Sequence, residues 1–352
     1  MRRAHLFASD NTATVHPAVM EALARANQNH EISYGDDPYT REAEQKIREL
    51  FDAELSVFFV YNGTGANVLA LASMVHSWEA TICTEIAHLY CDETGAPERI
   101  TGAKLLPVRP LAGKLTVDQL RPFMGRRGFE HTSQPRAVSL TESTEVGTCY
   151  TPEEIREIAD FCREEGLYLH MDGARISNAA VSLADRRGSG SEPRQMLREI
   201  TSRAGVDVLS FGLSKNGIMF GEAVVFFRQE LAAAARFLRK QATQLNSKMR
   251  YIASQYTALI EDDLWARNAR HANALAARLA DRLTAVEAVE LAYPVEANGV
   301  FPSLPDRVIA ALQEEWGFYT WEPEASVVRL MLCFDSTEED VDLFCDAVEG
   351  VG

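Results

Sequence analysis

The feature that most constrains the fold of this chain is a regular alternation of helix-like and strand-like patterns over most of its length. Thr151-Pro152-Glu153-Glu154 predicts a helix start, with Thr as N-cap, Pro at the first helical position and Glu closing a capping box. The helix is expected to run from Ile155 to Glu165 and to end at Gly166. Leu167–Met171 then predicts a buried strand that ends at Asp172. This order predicts parallel βαβ units, and therefore an α/β fold with a mostly parallel sheet covered on both faces.

A long helical pattern follows later in the chain, because the residues from Gln229 to about Ala285 show no strand signal. A helical stretch of this kind commonly connects two domains. Beyond it we predict a small α+β unit, with strands at 299–301, 318–321 and 327–332 and helices at 306–315 and 337–349. We therefore expect an N-terminal arm and a large domain over residues 1–255, and a small C-terminal domain over residues 256–352.

Lys215 lies between two apolar runs, Val208–Phe211 and Glu222–Phe227. The chain has six lysines against 29 arginines, so a lysine at this place needs a reason other than charge. Unlike a guanidinium, a desolvated ammonium can lose its proton, and the free amine can form a Schiff base with an aldehyde. This chemistry indicates pyridoxal phosphate (PLP) as a cofactor. The alternative is a lysine at a strand end whose amine reaches solvent.

A Gly-rich turn at Asn62–Asn67 is a candidate phosphate cradle. It follows an apolar strand, Val57–Tyr61, and precedes a predicted helix, Val68–Val75. Small residues at a helix N-terminus let backbone N–H groups approach a phosphate, and the helix dipole favours the anion. A plain Gly-rich turn between a strand and a helix is the alternative for this segment alone.

Asp172 follows its predicted strand just as Lys215 follows another, and ligands of parallel sheets bind beyond the carboxyl ends of the strands. A carboxylate there keeps the ring nitrogen of PLP protonated, which makes the ring an electron sink; the alternative is an N-capping aspartate. Arg175 is a candidate for neutralising the ring oxygen or the phosphate, or else a surface or ion-pair residue. His88 is a candidate for stacking on the ring, or else a structural histidine.

Composition limits the partners that we expect. A formal net charge of −16 repels a nucleic acid backbone, so nucleic acid is not an expected partner. No apolar stretch is long enough to span a bilayer, and Ser9-Asp10-Asn11 interrupts the start of the chain before a signal peptide could form. The six cysteines include no CxxC pair, so neither a metal site nor a disulfide framework is predicted, and the expected location is the cytoplasm.

Several motifs, taken in order, resemble those of the threonine aldolase family, which belongs to the fold-type I PLP enzymes together with the β-eliminating lyases. The motifs are Ala8–Asn11, Tyr34–Asp37, Asn62–Asn67, Ala87-His88, Asp92–Glu98, His170–Arg175, Ser214–Gly217 and Lys248–Arg250. The resemblance extends over nearly the whole chain. It implies a fold of the PLP-dependent transferase type, with a large PLP-binding domain and a small C-terminal domain.

The resemblance also implies roles for the matching positions. Lys215 matches the lysine that bonds covalently to PLP, and Asp172 matches the partner of the ring nitrogen. The other positions implied to hold the cofactor are Gly63, Thr64, His88, Arg175, Ser214 and, from a neighbouring subunit, Arg250. Those implied to bind the substrate are Ser9, Tyr34 and Arg329, and the fork of Arg329 suits a carboxylate because it makes two hydrogen bonds. A homotetramer, built as a dimer of dimers with active sites shared between subunits, is implied as well.

One segment departs from the family pattern. Many members carry a histidine in an Asn-Thr-His-Asn-Gly segment, whereas Glu142–Gly147 of this chain has Glu145 at that place. The base that acts on the substrate hydroxyl is therefore left open between His88 and Glu145, and a solvated loop acid is the alternative for Glu145. With Lys215, these two residues form the candidate catalytic set.

The activity implied by the resemblance is the PLP-dependent cleavage of β-hydroxy-α-amino acids such as L-threonine and L-allo-threonine to glycine and an aldehyde. Two alternatives keep the cofactor: a β-eliminating lyase, and a transaldolase that passes the glycine unit to another aldehyde. A third is a catalytically silent binding protein with the same fold, since one fold hosts many activities.

Overall fold

The computed structural model describes residues 7–188, 190–287 and 289–351, so the first six residues of the predicted N-terminal arm lie outside the described part. The strands are β1 Ser56–Val60, β2 Glu79–Thr84, β3 Lys104–Val108, β4 Gln134–Thr141, β5 Tyr168–Gly173, β6 Val208–Phe211, β7 Glu222–Phe226, β8 Glu290–Leu291, β9 Gly299–Val300, β10 Pro302–Ser303, β11 Tyr319–Glu322 and β12 Val327–Met331. The first eight helices are α1 Pro17–Ala26, α2 Pro38–Phe51, α3 Gly63–Met74, α4 His88–Cys91, α5 Ala96–Thr101, α6 Val117–Met124, α7 Pro152–Glu164 and α8 Ile176–Arg187. The others are α9 Pro193–Glu199, α10 Gln229–Ala232, α11 Ala235–Gln241, α12 Arg250–Ile260, α13 Leu264–Thr284, α14 Asp306–Gln313 and α15 Glu338–Val351.

The large sheet has seven strands in the order β1-β7-β6-β5-β4-β2-β3. Strand β7 runs antiparallel to both of its neighbours, and the other pairings are parallel. The prediction of an α/β fold with a mostly parallel sheet is therefore confirmed. Because β5 and β6 are parallel neighbours, the residues that follow them meet at one edge of the sheet.

Local sequence signals set the helix starts around this sheet. Helix α7 begins at Pro152 with the predicted capping box, in which Thr151 and Glu154 each accept a hydrogen bond from the backbone of the other. Helix α3 begins at Gly63 rather than at Val68, because the side chain of Asn62 already caps it by accepting a hydrogen bond from the Gly65 N–H. The Gly-rich turn is therefore the first turn of a helix.

The segment predicted as helical throughout is interrupted. Helix α11 ends at Gln241 and α12 begins at Arg250, so residues 242–249 form an irregular connection. Thr243 within it has a left-handed φ of 61°. The interruption matters for the site, because Gln244 extends from this connection toward the start of α3.

A second, antiparallel sheet follows in the order β11-β12-β10-β8, with β9 also paired to β12. Its apolar core includes the second half of α13, from Leu275 to Leu283, together with α14 and α15. The predicted small α+β unit is thus present, although two of its three predicted strands are one residue shorter and the third is displaced by one residue. Phe7, the first described residue, is buried in this core, and its carbonyl accepts a hydrogen bond from the Met331 N–H at 2.9 Å.

Helix α13 is shared between the two cores. Its first part, including Trp265 and Ala269, packs in the core of the large sheet, whereas its last turns pack in the core of the small one. Asn216 donates a hydrogen bond to the Trp265 carbonyl at 3.1 Å, and Asn268 donates one to the Asn216 carbonyl at 2.8 Å. The helix therefore holds the turn that carries Lys215. Among the described residues, no helix combines the length and the apolar character that a bilayer crossing requires.

Candidate active site

Lys215 and Asp172 lie at the carboxyl edge of the large sheet, beyond β6 and at the end of β5. Burial lowers the pKa of Lys215, and the charge of Arg175 lowers it further, while nearby carboxylates that include Asp172 act in the opposite direction. The net direction is downward. A lowered pKa favours the free amine that nucleophilic chemistry requires.

The turn that carries Lys215 is fixed to the start of β7 by two polar contacts. Glu222 accepts a hydrogen bond from the Leu213 N–H at 2.9 Å, and Ser214 donates its hydroxyl to the Gly221 carbonyl at 3.1 Å. Burial raises the pKa of Glu222 to about 7. A buried carboxyl group therefore lies close enough to Lys215 for its charge to act on the amine.

A chain of buried hydrogen bonds links Asp172 to His88. Asn67 donates its amide to Oδ2 of Asp172 at 2.8 Å and to Oε1 of Glu93 at 2.8 Å. The same Glu93 oxygen bonds Nδ1 of His88 at 2.9 Å. Oδ1 of Asp172 accepts from the Ala174 N–H at 3.0 Å. The carboxylate and the imidazole are thus held in a fixed relation by two residues between them.

His88 is the first residue of α4, and its side chain is 44% exposed, which leaves part of the ring accessible to a ligand. Its hydrogen bond to the fully buried side chain of Glu93 is the largest influence on its pKa. That bond raises the pKa, burial opposes the rise, and the net direction is upward. The contact to Glu93 also fixes the plane of the imidazole.

Glu145 lies beside His88. Its Oε1 accepts hydrogen bonds from the Thr141 hydroxyl at 2.7 Å and from the backbone N–H of His88 at 3.1 Å. Its Oε2 is buried and has no hydrogen-bond partner among the described residues. Burial raises the pKa of this carboxyl to about 7, and the charge of Asp172 adds to the rise. The side chain is therefore not a solvated loop acid.

The first turn of α3 forms the candidate cradle. Gly63 and Thr64 are its first two residues, and a Cβ added to Gly63 would have no heavy atom within 4 Å. A Cβ added to Gly65 would instead overlap the side chain of Gln244, which accepts a hydrogen bond from the Tyr61 N–H at 3.0 Å. The N–H groups of this turn thus have open space in front of Gly63, as an anion site at a helix N-terminus requires.

Arg175 forms a two-pronged ion pair with Asp10, with Nε to Oδ2 at 2.6 Å and Nη2 to Oδ1 at 2.9 Å. Burial would raise the pKa of Asp10, but the charges of Arg175 and Lys215 outweigh it, and the net direction is downward. Asn298 donates to the same carboxylate at 3.1 Å. This ion pair joins the N-terminal segment, the large sheet and the small sheet behind the candidate site.

The two predicted carboxylate-binding residues lie next to each other. Arg329, in β12, donates to the carbonyl of Ala8 at 3.3 Å, and Ala8 precedes Ser9. The guanidinium also lies over the rings of Tyr319 and Trp321, at 5.2 and 5.4 Å. Its Nε is buried and has no hydrogen-bond partner among the described residues.

Two predicted residues do not contact this cluster within the single chain. Arg250 donates to the carbonyls of Gln28 and Asn29, at 3.3 and 3.0 Å. Tyr34 is 52% exposed, has a left-handed φ of 66°, and bonds through its N–H to Ser247. Tyr34 is thus exposed and Arg250 half-buried, and a role for them at the site depends on a neighbouring subunit.

Sequence analysis missed three buried polar residues around the site. Glu93 lies in a quoted motif and Asp10 in another, but a spacing along the chain gives no sign of the ion pair or network that each one makes. His170, two residues before Asp172, bonds the hydroxyls of Ser139 and Ser210 at 2.8 and 3.0 Å. Burial lowers the pKa of His170 to about 4, so this imidazole is neutral. The run His170-Met-Asp is the signal that could have indicated it.

The residues present fit PLP. The cluster offers an amine of lowered pKa, a buried carboxylate, an accessible imidazole and an open helix N-terminus. It also contains buried polar atoms that lack partners among the described residues: Asn67 Oδ1, Glu145 Oε2 and Arg329 Nε. Such atoms carry a desolvation cost unless a ligand or water satisfies them.

Comparison with known proteins agrees with this description. The family model described as beta-eliminating lyase matches residues 7–305. A low specificity L-threonine aldolase of Pseudomonas aeruginosa is 45% identical over 337 residues, which cover 95% of this chain and 94% of that protein. A protein of the same name from another Pseudomonas strain is 43% identical, with the same coverage.

Solved structures give the same result. The threonine aldolase of Leishmania major superposes with a TM-score of 0.91 at 32% identity, covering 98% of this chain and 99% of that one. Serine palmitoyltransferase of Sphingomonas wittichii superposes with a TM-score of 0.73 at 16% identity, which shows the fold alone. The fold-type I architecture predicted from the motifs is confirmed. The chain therefore belongs to the β-eliminating lyase family, within its threonine aldolase branch.

Proposed function

We propose that this protein is a PLP-dependent aldolase that cleaves L-threonine, L-allo-threonine and similar β-hydroxy-α-amino acids to glycine and an aldehyde. The observation that carries the proposal is the linkage of Asp172 through Asn67 and Glu93 to His88, next to the turn of Lys215. The similarity to threonine aldolases over 95% of the chain supports it.

The residues that would hold PLP are those of the described cluster. Lys215 would bond to it, Asp172 would face the ring nitrogen, and His88 would lie against the ring. Gly63, Thr64 and Ser214 would bind the phosphate, and Arg175 would lie near the ring oxygen. When bound, PLP supplies an electron sink that lowers the cost of breaking a bond to Cα.

The substrate carboxylate would be bound by Arg329 and Ser9. Arg329 is suited to this because its Nε is buried without a partner, and because aromatic rings hold the guanidinium in place. A two-pronged contact fixes the orientation of a carboxylate as well as its position. The orientation of the carboxylate in turn decides which bond of Cα is presented for cleavage.

Glu145 is the residue that we propose as the base for the substrate hydroxyl. Its Oε2 has no partner among the described residues, and a pKa of about 7 leaves a large fraction ionised at neutral pH. Oε2 would take the hydroxyl proton, so that the oxygen becomes the aldehyde carbonyl as the Cα–Cβ bond breaks. A base acts best when its pKa lies near the working pH. His88, whose backbone N–H donates a hydrogen bond to Glu145, remains the second candidate for the base.

The assembly and the location are also proposals. We infer a homotetramer in which Arg250 and Tyr34 complete the site of a neighbouring subunit, because within this chain Arg250 bonds Gln28 and Asn29 and Tyr34 is exposed. The domain division at residue 255 and a cytoplasmic location are retained from the sequence. All six cysteines are free, as a reducing compartment favours.

The experiment is a product assay on the PLP-loaded protein with L-threonine, L-allo-threonine and L-phenylserine. Equal amounts of glycine and aldehyde are expected, and the ratio between substrates gives the preference at Cβ. Ammonia with a keto acid would instead establish β-elimination, and a new hydroxy amino acid in the presence of a second aldehyde would establish transfer. Binding of PLP without any of these products would overturn the proposal in favour of a silent binding protein.

A further inference from the structure

A cavity of about 540 Å³ lies between α4 and the small sheet, beside the candidate active site. It is lined on the α4 side by Glu85, Ile86, Cys91 and Asp92, on the small-sheet side by Tyr293, Trp321 and Glu322, and on the third side by Arg109, Pro110, Ala112 and Gly113. A volume of this order accommodates a ligand much larger than a methyl group. None of the site residues predicted from the sequence lines it.

The cavity borders the residues that would orient the substrate. Trp321, in its wall, lies 5.4 Å from the guanidinium of Arg329. The charge of Asp92, also in the wall, is close enough to raise the pKa of that guanidinium, although burial outweighs it. Cys91 is close enough to Glu145 for the two groups to influence each other electrostatically. The cavity therefore borders both the proposed carboxylate anchor, Arg329, and the proposed base, Glu145.

The wall of the cavity carries more negative than positive charge. Three carboxylates, Glu85, Asp92 and Glu322, face one guanidinium, that of Arg109. Glu85, Asp92 and Arg109 are exposed to solvent. Glu322 instead accepts the hydroxyl of Tyr293 at 2.5 Å. The remaining walls are apolar or aromatic, so the cavity presents a ring-sized apolar space with acidic groups at its edge.

We propose that this cavity receives the β-substituent of the substrate and favours an aromatic group that carries a positive charge, while it disfavours an anionic one. The inference rests on the proposed function and names its substrate class. Opposite charges attract and like charges repel. Because Glu85 and Asp92 are exposed, the effect of each carboxylate is modest, and the preference comes from the three of them together. Threonine, whose β-substituent is a methyl group, leaves most of the cavity unfilled and is therefore insensitive to its charge.

The test uses three phenylserines that differ only at the para position: hydrogen, aminomethyl and carboxylate. On the PLP-loaded wild type, kcat/KM is expected to fall in the order aminomethyl, hydrogen, carboxylate, with on the order of tenfold between the first and the last. The double variant Glu85→Gln, Glu322→Gln is expected to reduce that ratio severalfold and to leave L-threonine cleavage unchanged. Glutamine at 322 still accepts the Tyr293 hydroxyl, so the wall keeps its shape.

The matched control is Glu324→Gln, which removes the same charge from an exposed residue that does not line the cavity. It is expected to leave the ratio as in the wild type. An equal loss of the ratio in Glu324→Gln, or an unchanged ratio in the double variant, would overturn the inference.

The two proposals fail in different ways. If the protein cleaves L-threonine but cleaves the three phenylserines at equal rates, the proposed function stands and the proposed charge preference of the cavity is refuted. If no amino acid is cleaved, the proposed function fails. The affinities of para-aminomethyl- and para-carboxy-L-phenylalanine, measured by calorimetry, then test the charge preference of the cavity independently of catalysis. These amino acids have no β-hydroxyl group and cannot be cleaved, and equal affinities for them would refute the charge preference.

Discussion

Replacing Glu145 by Gln is expected to lower activity and to raise stability at alkaline pH. Burial of the Glu145 carboxyl raises its pKa, which suits a base and also makes its charged form costly in the folded state. Gln retains an oxygen that accepts from the Thr141 hydroxyl and the His88 N–H. The second oxygen of Glu145 has no partner to lose among the described residues. The substitution therefore removes a titratable charge while keeping the contacts that position the side chain.

The magnitude follows from the shift in pKa. Burial raises the pKa of Glu145 from 4.5 to about 7, which corresponds to about 3 kcal/mol against the charged form in the folded state. Because the folded pKa lies above the unfolded one, the stabilising contribution is complete below about pH 4.5 and is lost as pH rises to 7. Above pH 7 the wild type carries the full cost, and Glu145→Gln does not.

The assay measures the free energy of unfolding at pH 4.5 and pH 8.5, and the pH dependence of aldehyde release. Relative to the wild type, Glu145→Gln is expected to gain about 3 kcal/mol between the two pH values. Its aldehyde release should fall by about 100-fold or more, as the loss of a general base does. The rise of the rate near pH 7 should disappear.

Two results would refute this reasoning. An unchanged pH–rate profile in Glu145→Gln would show that another group, such as the neighbouring His88, takes the hydroxyl proton. An unchanged difference in stability between the two pH values would show that Glu145 does not titrate near 7. Glu324→Gln, at an exposed position, serves as the control for both measurements.

Three further substitutions test the rest of the site. Lys215→Ala should abolish turnover and the visible absorbance of lysine-bound PLP, and turnover at the wild-type rate would contradict the assignment. Glu93→Gln should lower the pKa of His88 in an NMR titration of the cofactor-free protein, because a neutral amide replaces the carboxylate that raises it; an unmoved pKa would count against the network. Asp10→Asn leaves the buried guanidinium of Arg175 without its counter-charge. It should therefore cost about 3–5 kcal/mol in urea unfolding at pH 7, and a loss below about 1 kcal/mol would show that the ion pair is not desolvated.

Much of the fold could be predicted because local signals and the alternating pattern agree. The capping box at Thr151 and the apolar runs before Asp172 and Lys215 fix the helices and strands that form the carboxyl edge of the sheet. The break between α11 and α12 could not be predicted in this way. Residues 242–249 contain neither Gly nor Pro, and the chain leaves the helix where Gln244 packs against Gly65, a residue far away in sequence.

The positions of Lys215 and Asp172 at the carboxyl edge of the sheet could be predicted, because each follows a recognisable apolar run. The residues that bridge two site residues through hydrogen bonds could not be predicted from the sequence. Glu93 and Asn67 gain their importance from a shared oxygen and a shared amide, which exist only when β5, α3 and α4 are packed together. Arg250 likewise makes no contact with the candidate site within one chain and bonds the carbonyls of Gln28 and Asn29 instead. Roles for these residues stay predictions.

Helix α13 has a mechanical consequence for substrate handling. Its 21 residues extend over about 32 Å, bonded at one end to the turn of Lys215 and packed at the other into the core beneath Arg329. Because one helix packs in both cores, it couples the position of the reactive amine to that of the carboxylate anchor. Unfolding of either core would remove packing contacts of α13 that the other core shares. The two sheets are therefore expected to unfold in a single transition.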